Sequence, residues 1–174
     1  MKTLLVYYSR SGNTRKLAQQ LAEQCGADIE QIIDQRERTG LVGYFRSALE
    51  ALLGIRPPIH ASKFKPQDYE LIVIGGPIWF WNMASPVRSY VVQHGANFNR
   101  VAFFLTCGGS GQEKVFADLE RLCGRRACAR LALTEHQLHQ YRQSSALGRF
   151  VKKFEQERAS DGGEAGGLDS HLAA

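Results

Sequence analysis

The chain has no apolar run approaching the roughly 20 residues that a membrane-spanning helix requires. A protein that crosses a bilayer on helices is therefore excluded. Cysteine is scarce. Cys25, Cys107, Cys123 and Cys128 form no Cys-x-x-Cys pair, and the Cys123/Cys128 spacing is not that of a zinc site. Nothing suggests a disulfide framework, so the expectation is a reduced, cytoplasmic chain. There is no Gly-x-Gly-x-x-Gly: Lys114 stands where Gly109-Ser110-Gly111 would need its third glycine. The dinucleotide fingerprint is missing. No internal repeat and no nucleic-acid motif occurs. The opening Met1-Lys2 followed by apolar residues faintly imitates an export signal. Its apolar part stops at Tyr8, and it reads as a first strand.

What is present suits one α/β domain. The 174 residues are 44% hydrophobic and 22% charged, with a net charge of +5. Residues 159–174 hold Asp161, Glu164 and Asp169 and no Lys or Arg, so the positive charge lies wholly in the body. A basic body favours anionic partners. Its cations are scattered, which points to an anionic cofactor and away from nucleic acid.

Short apolar runs alternate with helical patterns, the signature of a parallel sheet covered on both faces. Strands are expected at Thr3–Tyr8, Asp28–Ile33, Leu71–Ile74, Val101–Leu105 and Ala127–Leu133. Leu17, Leu21 and Cys25 mark a first helix that ends at Gly26. Leu41, Phe45, Ala48, Leu49 and Leu52 mark a second, over Leu41–Leu53. Ser85-Pro86 reads as N-cap and first residue of a third, ending at Gly95. Val115, Leu119 and Leu122 mark a fourth, with Gly124 beyond it. Leu147, Phe150, Val151 and Phe154 mark a last one over Ala146–Glu157. The domain spans residues 1–158, and residues 159–174 read as a disordered, acidic, Gly-rich tail. The expected sheet has five parallel strands in the order 2-1-3-4-5. Ligands of such sheets sit beyond the carboxyl ends of the strands, where the order reverses.

The loops at that end carry the chemistry. After strand one comes Ser9-Arg10-Ser11-Gly12-Asn13-Thr14. Hydroxyls, a glycine and the unpaired N–H groups of a helix start make a phosphate grip. After strand three comes Gly75-Gly76-Pro77-Ile78-Trp79-Phe80-Trp81-Asn82, an aromatic platform. After strand four comes Thr106-Cys107-Gly108-Gly109-Ser110-Gly111, where glycines let backbone polar groups approach a ring edge. Together they suit a flat aromatic ring that carries a phosphate chain. A receiver domain of the same topology needs acidic residues after strand one, where Ser9 and Arg10 stand. A low-molecular-weight phosphatase needs a cysteine in that loop, and there is none.

In these motifs the chain resembles the flavodoxin-like FMN-binding proteins, including the quinone-reductase-like flavoproteins. They are the Tyr-Ser-Arg-Ser-Gly-Asn-Thr start, the Gly-Pro-Ile-Trp loop followed by Pro-Val-Arg, and the Thr-Cys-Gly-Gly-Ser-Gly loop. The resemblance covers residues 1–157 and implies a three-layer flavodoxin-like sandwich. By it, Ser9, Ser11, Gly12, Asn13 and Thr14, with Arg10 beside them, would hold the FMN phosphate. Pro77, Ile78, Trp79, Phe80, Trp81 and Asn82 would hold one side of the isoalloxazine. Thr106, Cys107, Gly108 and Gly109, with Gly111, would hold the other. Electron-carrier flavodoxins are usually acidic and often place an aromatic residue in the second ring loop. This chain is basic, and that loop has no aromatic. The resemblance thus implies an oxidoreductase that passes electrons from NAD(P)H or a partner to a quinone-like acceptor. The alternative is an electron carrier without turnover of its own; a third reading is a binding module that has lost its flavin.

Neighbours on an extended loop point to opposite sides, so Trp79 is expected at the ring and Trp81 in the core. Cys107 reads as a small residue at a strand end, since no His or Lys neighbours it to lower its pKa. Arg36, Arg38, His136, His139 and Tyr141 fall at the ligand end and read as surface loop residues, although one of the latter three could donate a proton.

Overall fold

The computed structural model describes residues 1–35, 53–138 and 143–163, with side chains of the last segment described from 145 to 157. The five expected parallel strands are present. They are β1 (Thr3–Tyr7), β2 (Asp28–Gln31), β3 (Leu71–Trp79), β5 (Arg100–Cys107) and β6 (Ala127–Thr134). A short β4 (Asn82–Met83) pairs antiparallel with the end of β3. The order β2-β1-β3-β5-β6 is the expected 2-1-3-4-5, renumbered because β4 intervenes in the chain. Helices are α1 (Asn13–Cys25), α2 (Ser85–His94), α3 (Gln112–Cys123), the short α4 (Glu135–Leu138) and α5 (Gln143–Gly163).

Strand alternation explains the three layers. Leu4 and Val6 of β1, Ile72 and Ile74 of β3, and Val101, Phe103 and Leu105 of β5 enter one core. Val87, Val91, Val115 and Leu119 of α2 and α3 close it. The residues between them, Leu5, Tyr7, Leu71, Val73, Ala102 and Phe104, enter a second core. Leu17 and Leu21 of α1 and Leu147, Phe150 and Phe154 of α5 close that one. A sheet apolar on both faces must be covered on both.

Three expectations need correction. Strand β3 does not stop at Ile74; it runs on through Gly75, Gly76, Pro77 and Ile78 to Trp79. The glycines serve packing: a Cβ on Gly75 would lie 1.9 Å from the Phe104 ring, and one on Gly76 2.7 Å from Val87. Pairing with β1 ends at Tyr7 opposite Gly75, so Pro77 interrupts no bond to that strand. The second correction is at α2, where Ala84 is the N-cap and Ser85 the first helical residue. The third is at the far end, where α5 continues past Glu157 to Gly163. Residues 164–174, most of the expected helix Leu41–Leu53, and Arg36, Arg38, His139 and Tyr141 lie outside the described residues.

The end of β3 turns back through a two-residue hairpin. Ile78 pairs with Met83 and Trp79 with Asn82, leaving Phe80 and Trp81 as the turn. Their φ values, 48° and 58°, are the only positive ones at non-glycine residues among the described residues. Two successive positive φ angles mark a type I′ turn, whose natural occupants are Asn-Gly. Aromatic residues there cost of order 1–3 kcal/mol each.

Three substitutions test the packing and the turn. Gly75→Ala should destabilise the protein in urea titration by at least about 1–3 kcal/mol, the cost of overpacking. Gly148→Ala in α5, where an added Cβ meets nothing within 4 Å, should stabilise by about 0.4–1 kcal/mol. The double change Phe80→Asn/Trp81→Gly should raise the midpoint by relieving part of that backbone strain. A lowered midpoint would mean that the aromatic turn packs more than its exposure indicates.

Candidate functional site

The phosphate-type loop is shaped from within. Ser9 is buried, and its Oγ accepts the N–H groups of Gly12 and Arg15, both at 3.2 Å. Gly12, at φ 94°, is the N-cap of α1, a conformation costly for any residue with a Cβ. Ser9 and Gly12 thus frame the loop, and Asn13 opens α1. Ser11, Arg10 and Thr14 face a cavity of ≈410 Å³. At a helix start the N–H groups of Asn13 and Thr14 have no intrahelical partner, and the helix dipole favours an anion beside them.

That cavity gathers all three loops. Its wall takes Pro77, Ile78 and Trp79 from β3, and Thr106, Cys107 and Gly108 from β5 and the turn after it. Thr14 Oγ1 and Thr106 Oγ1, both buried, share a hydrogen bond of 2.8 Å, which ties the start of α1 to the end of β5. Trp79 is half-buried and meets the Tyr8 ring edge-on, with centroids 5.5 Å apart. Burial pushes the Cys107 thiol above its usual range, reinforced by the Glu135 charge and only partly offset by the Gly109 N–H. A thiol so placed is mostly protonated at neutral pH, as its reading as a small strand-end residue implies.

A second, shallower cavity of ≈290 Å³ adjoins the first and shares Ile78, Trp79 and Gly108 with it. Its further wall is Phe80, Trp81, Gly109 and Ser110. The expectation that Trp81 packs in the core is overturned: it is 61% exposed, and Phe80 45%. The alternation argument assumed an extended chain, whereas the backbone reverses at these two residues. Trp81 instead donates its indole N–H to Ser110 Oγ at 3.0 Å, stitching the β3–β4 turn to the loop after β5. Gly111, at φ 98°, lies beneath it, and a Cβ there would sit 3.0 Å from the Trp81 backbone. Asn82 turns away from the cavities; its Nδ2 donates to Phe80 O, and its Oδ1 accepts from Lys114 Nζ at 2.5 Å.

Three participants were missed from the sequence. Glu135 lines the first cavity, and Ser110 and Lys114 hold the aromatic turn. Glu135 had a readable signal, because it directly follows β6 at the carboxyl edge of the sheet. His136 is exposed in the short α4, beside it. Among the described residues no group of three His, Cys, Asp or Glu could hold a metal. No described helix is long and apolar enough to cross a membrane.

The described cavities have the chemistry a phosphorylated flavin needs: helix-start amides and hydroxyls at one end, an aromatic wall and glycine backbone at the other. Comparison with solved structures agrees with this architecture. A flavoprotein from Lactobacillus acidophilus, solved in complex with FMN, is 23% identical, with 86% of this chain and 97% of that one covered at a TM-score of 0.68. A flavoprotein from Bacteroides uniformis is 22% identical, with 87% and 97% covered at a TM-score of 0.73. Oxidised Flavodoxin 2 from Bacillus cereus is 16% identical, with 90% and 99% covered at a TM-score of 0.57. At such identities these likenesses establish the fold. The family model described as Flavodoxin matches residues 2–149, so the chain belongs to the flavodoxin family.

Proposed function

We propose that this chain binds FMN across its two adjoining cavities and works as an oxidoreductase, passing electrons from NAD(P)H or a partner to a quinone-like or other small acceptor. One observation carries the reading. The ≈410 Å³ cavity, with its helix-start donors, adjoins a ≈290 Å³ cavity walled by aromatic rings and glycine backbone, and the two share Ile78, Trp79 and Gly108. FMN, when bound, supplies one- and two-electron redox chemistry. The rest is the work of the chain.

Ser11, Thr14 and the first-turn amides of α1 hold the phosphate, and Arg10 adds positive charge at the rim. Thr14 and Thr106, paired with each other, offer hydroxyls to the polyol chain. Trp79 lines both cavities and gives the ring a flat partner. Gly108 and Gly109 bring backbone polar groups to the ring edge. They also leave that side without an aromatic cover, so a second flat ring can stack there. Hydride transfer needs such stacking, with reacting atoms about 3–3.5 Å apart. A protonated Cys107 takes no part as a nucleophile.

Riboflavin should bind at least a hundredfold more weakly than FMN in a fluorescence titration, since each charge-assisted bond to the phosphate contributes about 1.5–3 kcal/mol. Ser11→Asp should abolish FMN binding and leave circular dichroism unchanged. Ser11 is exposed and faces the cavity, whereas Thr14 is buried against Thr106 and its replacement would also disturb the fold. Riboflavin binding as tight as FMN binding would refute the phosphate site.

Anaerobic mixing of the FMN-loaded protein with NADH or NADPH should bleach the flavin absorbance. Quinone reduction should then follow, at a rate that falls as salt rises, because a basic body attracts an anionic nucleotide. No bleaching by either nucleotide would remove the reductase reading and leave the electron carrier.

A further inference from the structure

Strand β2, at the edge of the sheet, exposes its isoleucine and buries its carboxylate. Ile29 is 38% exposed and Glu30 only 9%. Glu30 stands opposite Val6 in the register, on the sheet face that α2 covers. A carboxylate at such a position is costly unless it is compensated.

The chain compensates it only in part. Glu30 Oε2 accepts the Ser62 hydroxyl and Oε1 accepts the Lys63 backbone N–H, both at 2.6 Å. Each oxygen has room for a further donor. Among the described residues no Lys, Arg or His forms an ion pair with Glu30. Glu30 lines a cavity of ≈520 Å³, larger than either cavity at the flavin end and sharing no residue with them. Ile32, Ile33 and Ile59 give it apolar walls.

Tyr90 of α2 also lines this cavity. It is 2% exposed, and its hydroxyl has no hydrogen-bond partner. Burial pushes its pKa up, the Glu30 charge adds to this, and the Ser62 hydroxyl offsets it in part. Glu30 and Ser62 both belong to the cavity wall, so the hydroxyl end of the ring is the end that meets the cavity. Ser62 lies near the phenol but outside hydrogen-bond geometry. On its other side the Tyr90 ring packs against His94, with centroids 4.7 Å apart. Burial lowers the His94 pKa, so the ring is neutral at neutral pH and brings no positive charge. Nor do the described residues form a group of three metal-ligating side chains.

We propose that this cavity is a second binding site, for a small primary ammonium compound with an apolar body. The ammonium donates to Glu30 and to the Tyr90 hydroxyl oxygen, and the body lies against the isoleucines. A neutral alcohol would satisfy Tyr90 and leave the Glu30 charge unpaired. The site shares nothing with the flavin cavities, so its occupancy is independent of FMN.

The probe is cyclohexylammonium, with cyclohexanol and cyclohexanecarboxylate as neutral and anionic analogues. The full chain is titrated with each, with and without saturating FMN, and binding is read from isoleucine methyl resonances by NMR. Cyclohexylammonium should shift the methyls of Ile32, Ile33 and Ile59, with an affinity that FMN leaves unchanged. Both analogues should bind more weakly by about tenfold or more. Glu30→Gln keeps an acceptor for the Lys63 N–H and removes the charge, and in it the amine should lose its advantage over the alcohol. Tyr90→Phe should weaken amine binding by about threefold or more without lowering the melting temperature, because the deleted hydroxyl had no partner. If circular dichroism shows Glu30→Gln unfolded, Tyr90→Phe and the three probes decide the matter. Alcohol binding as tight as amine binding, displacement of the amine by FMN, or unchanged affinity in Tyr90→Phe would overturn the proposal. So would an amine titration that leaves the three isoleucines unshifted.

Discussion

Everything at the ligand end depends on β3 outrunning β1. The two strands pair from Thr3 opposite Leu71 to Tyr7 opposite Gly75, and β1 then leaves the sheet. Strand β3 continues beside β5 as far as Pro77 opposite Thr106. The space that β1 vacates is the crevice, and the loop from Ser9 to Thr14 closes one side of it. The overrun itself relies on Gly75 and Gly76, because any side chain there would meet the Phe104 ring or Val87. A packing constraint in the middle of the sheet thereby sets the dimensions of a site at its edge.

Much of this was legible in the residues. Leu4 to Tyr7 and Leu71 to Ile74 are short apolar runs that only a doubly covered strand can bury, and α1 announces itself through Leu17, Leu21 and Gly26. The three loops were legible as a set because each carries residue types that suit a different part of one ligand. The length of β3 was hidden, since Gly75-Gly76-Pro77 has the chemistry of a turn and only the position of Phe104 shows why it is strand. The hairpin was hidden for the opposite reason: Phe80-Trp81 is what a type I′ turn ordinarily avoids. Its aromatic residues suggested burial, and the turn places them in solvent.

The contacts of Glu135 and Ser110 depend on tertiary neighbours and leave little periodic trace. Glu135 stands one residue past β6, and β6 pairs with β5 through Cys107 opposite Thr134, which delivers the carboxylate to the crevice. Ser110 matters only because Trp81 is folded over it. The two loops that Trp81 joins lie about thirty residues apart in sequence, so neither loop's own pattern encodes the contact.

Ser9 Oγ accepts the Gly12 and Arg15 amides, and Thr14 Oγ1 shares a hydrogen bond with Thr106 Oγ1, all within the polypeptide. Three hydroxyls thereby lock the end of β1, the start of α1 and the end of β5 to one another. The loop has no freedom of its own: a slip of α1 along the sheet, or of β5 against β3, would be transmitted to the turn between Ser9 and Thr14.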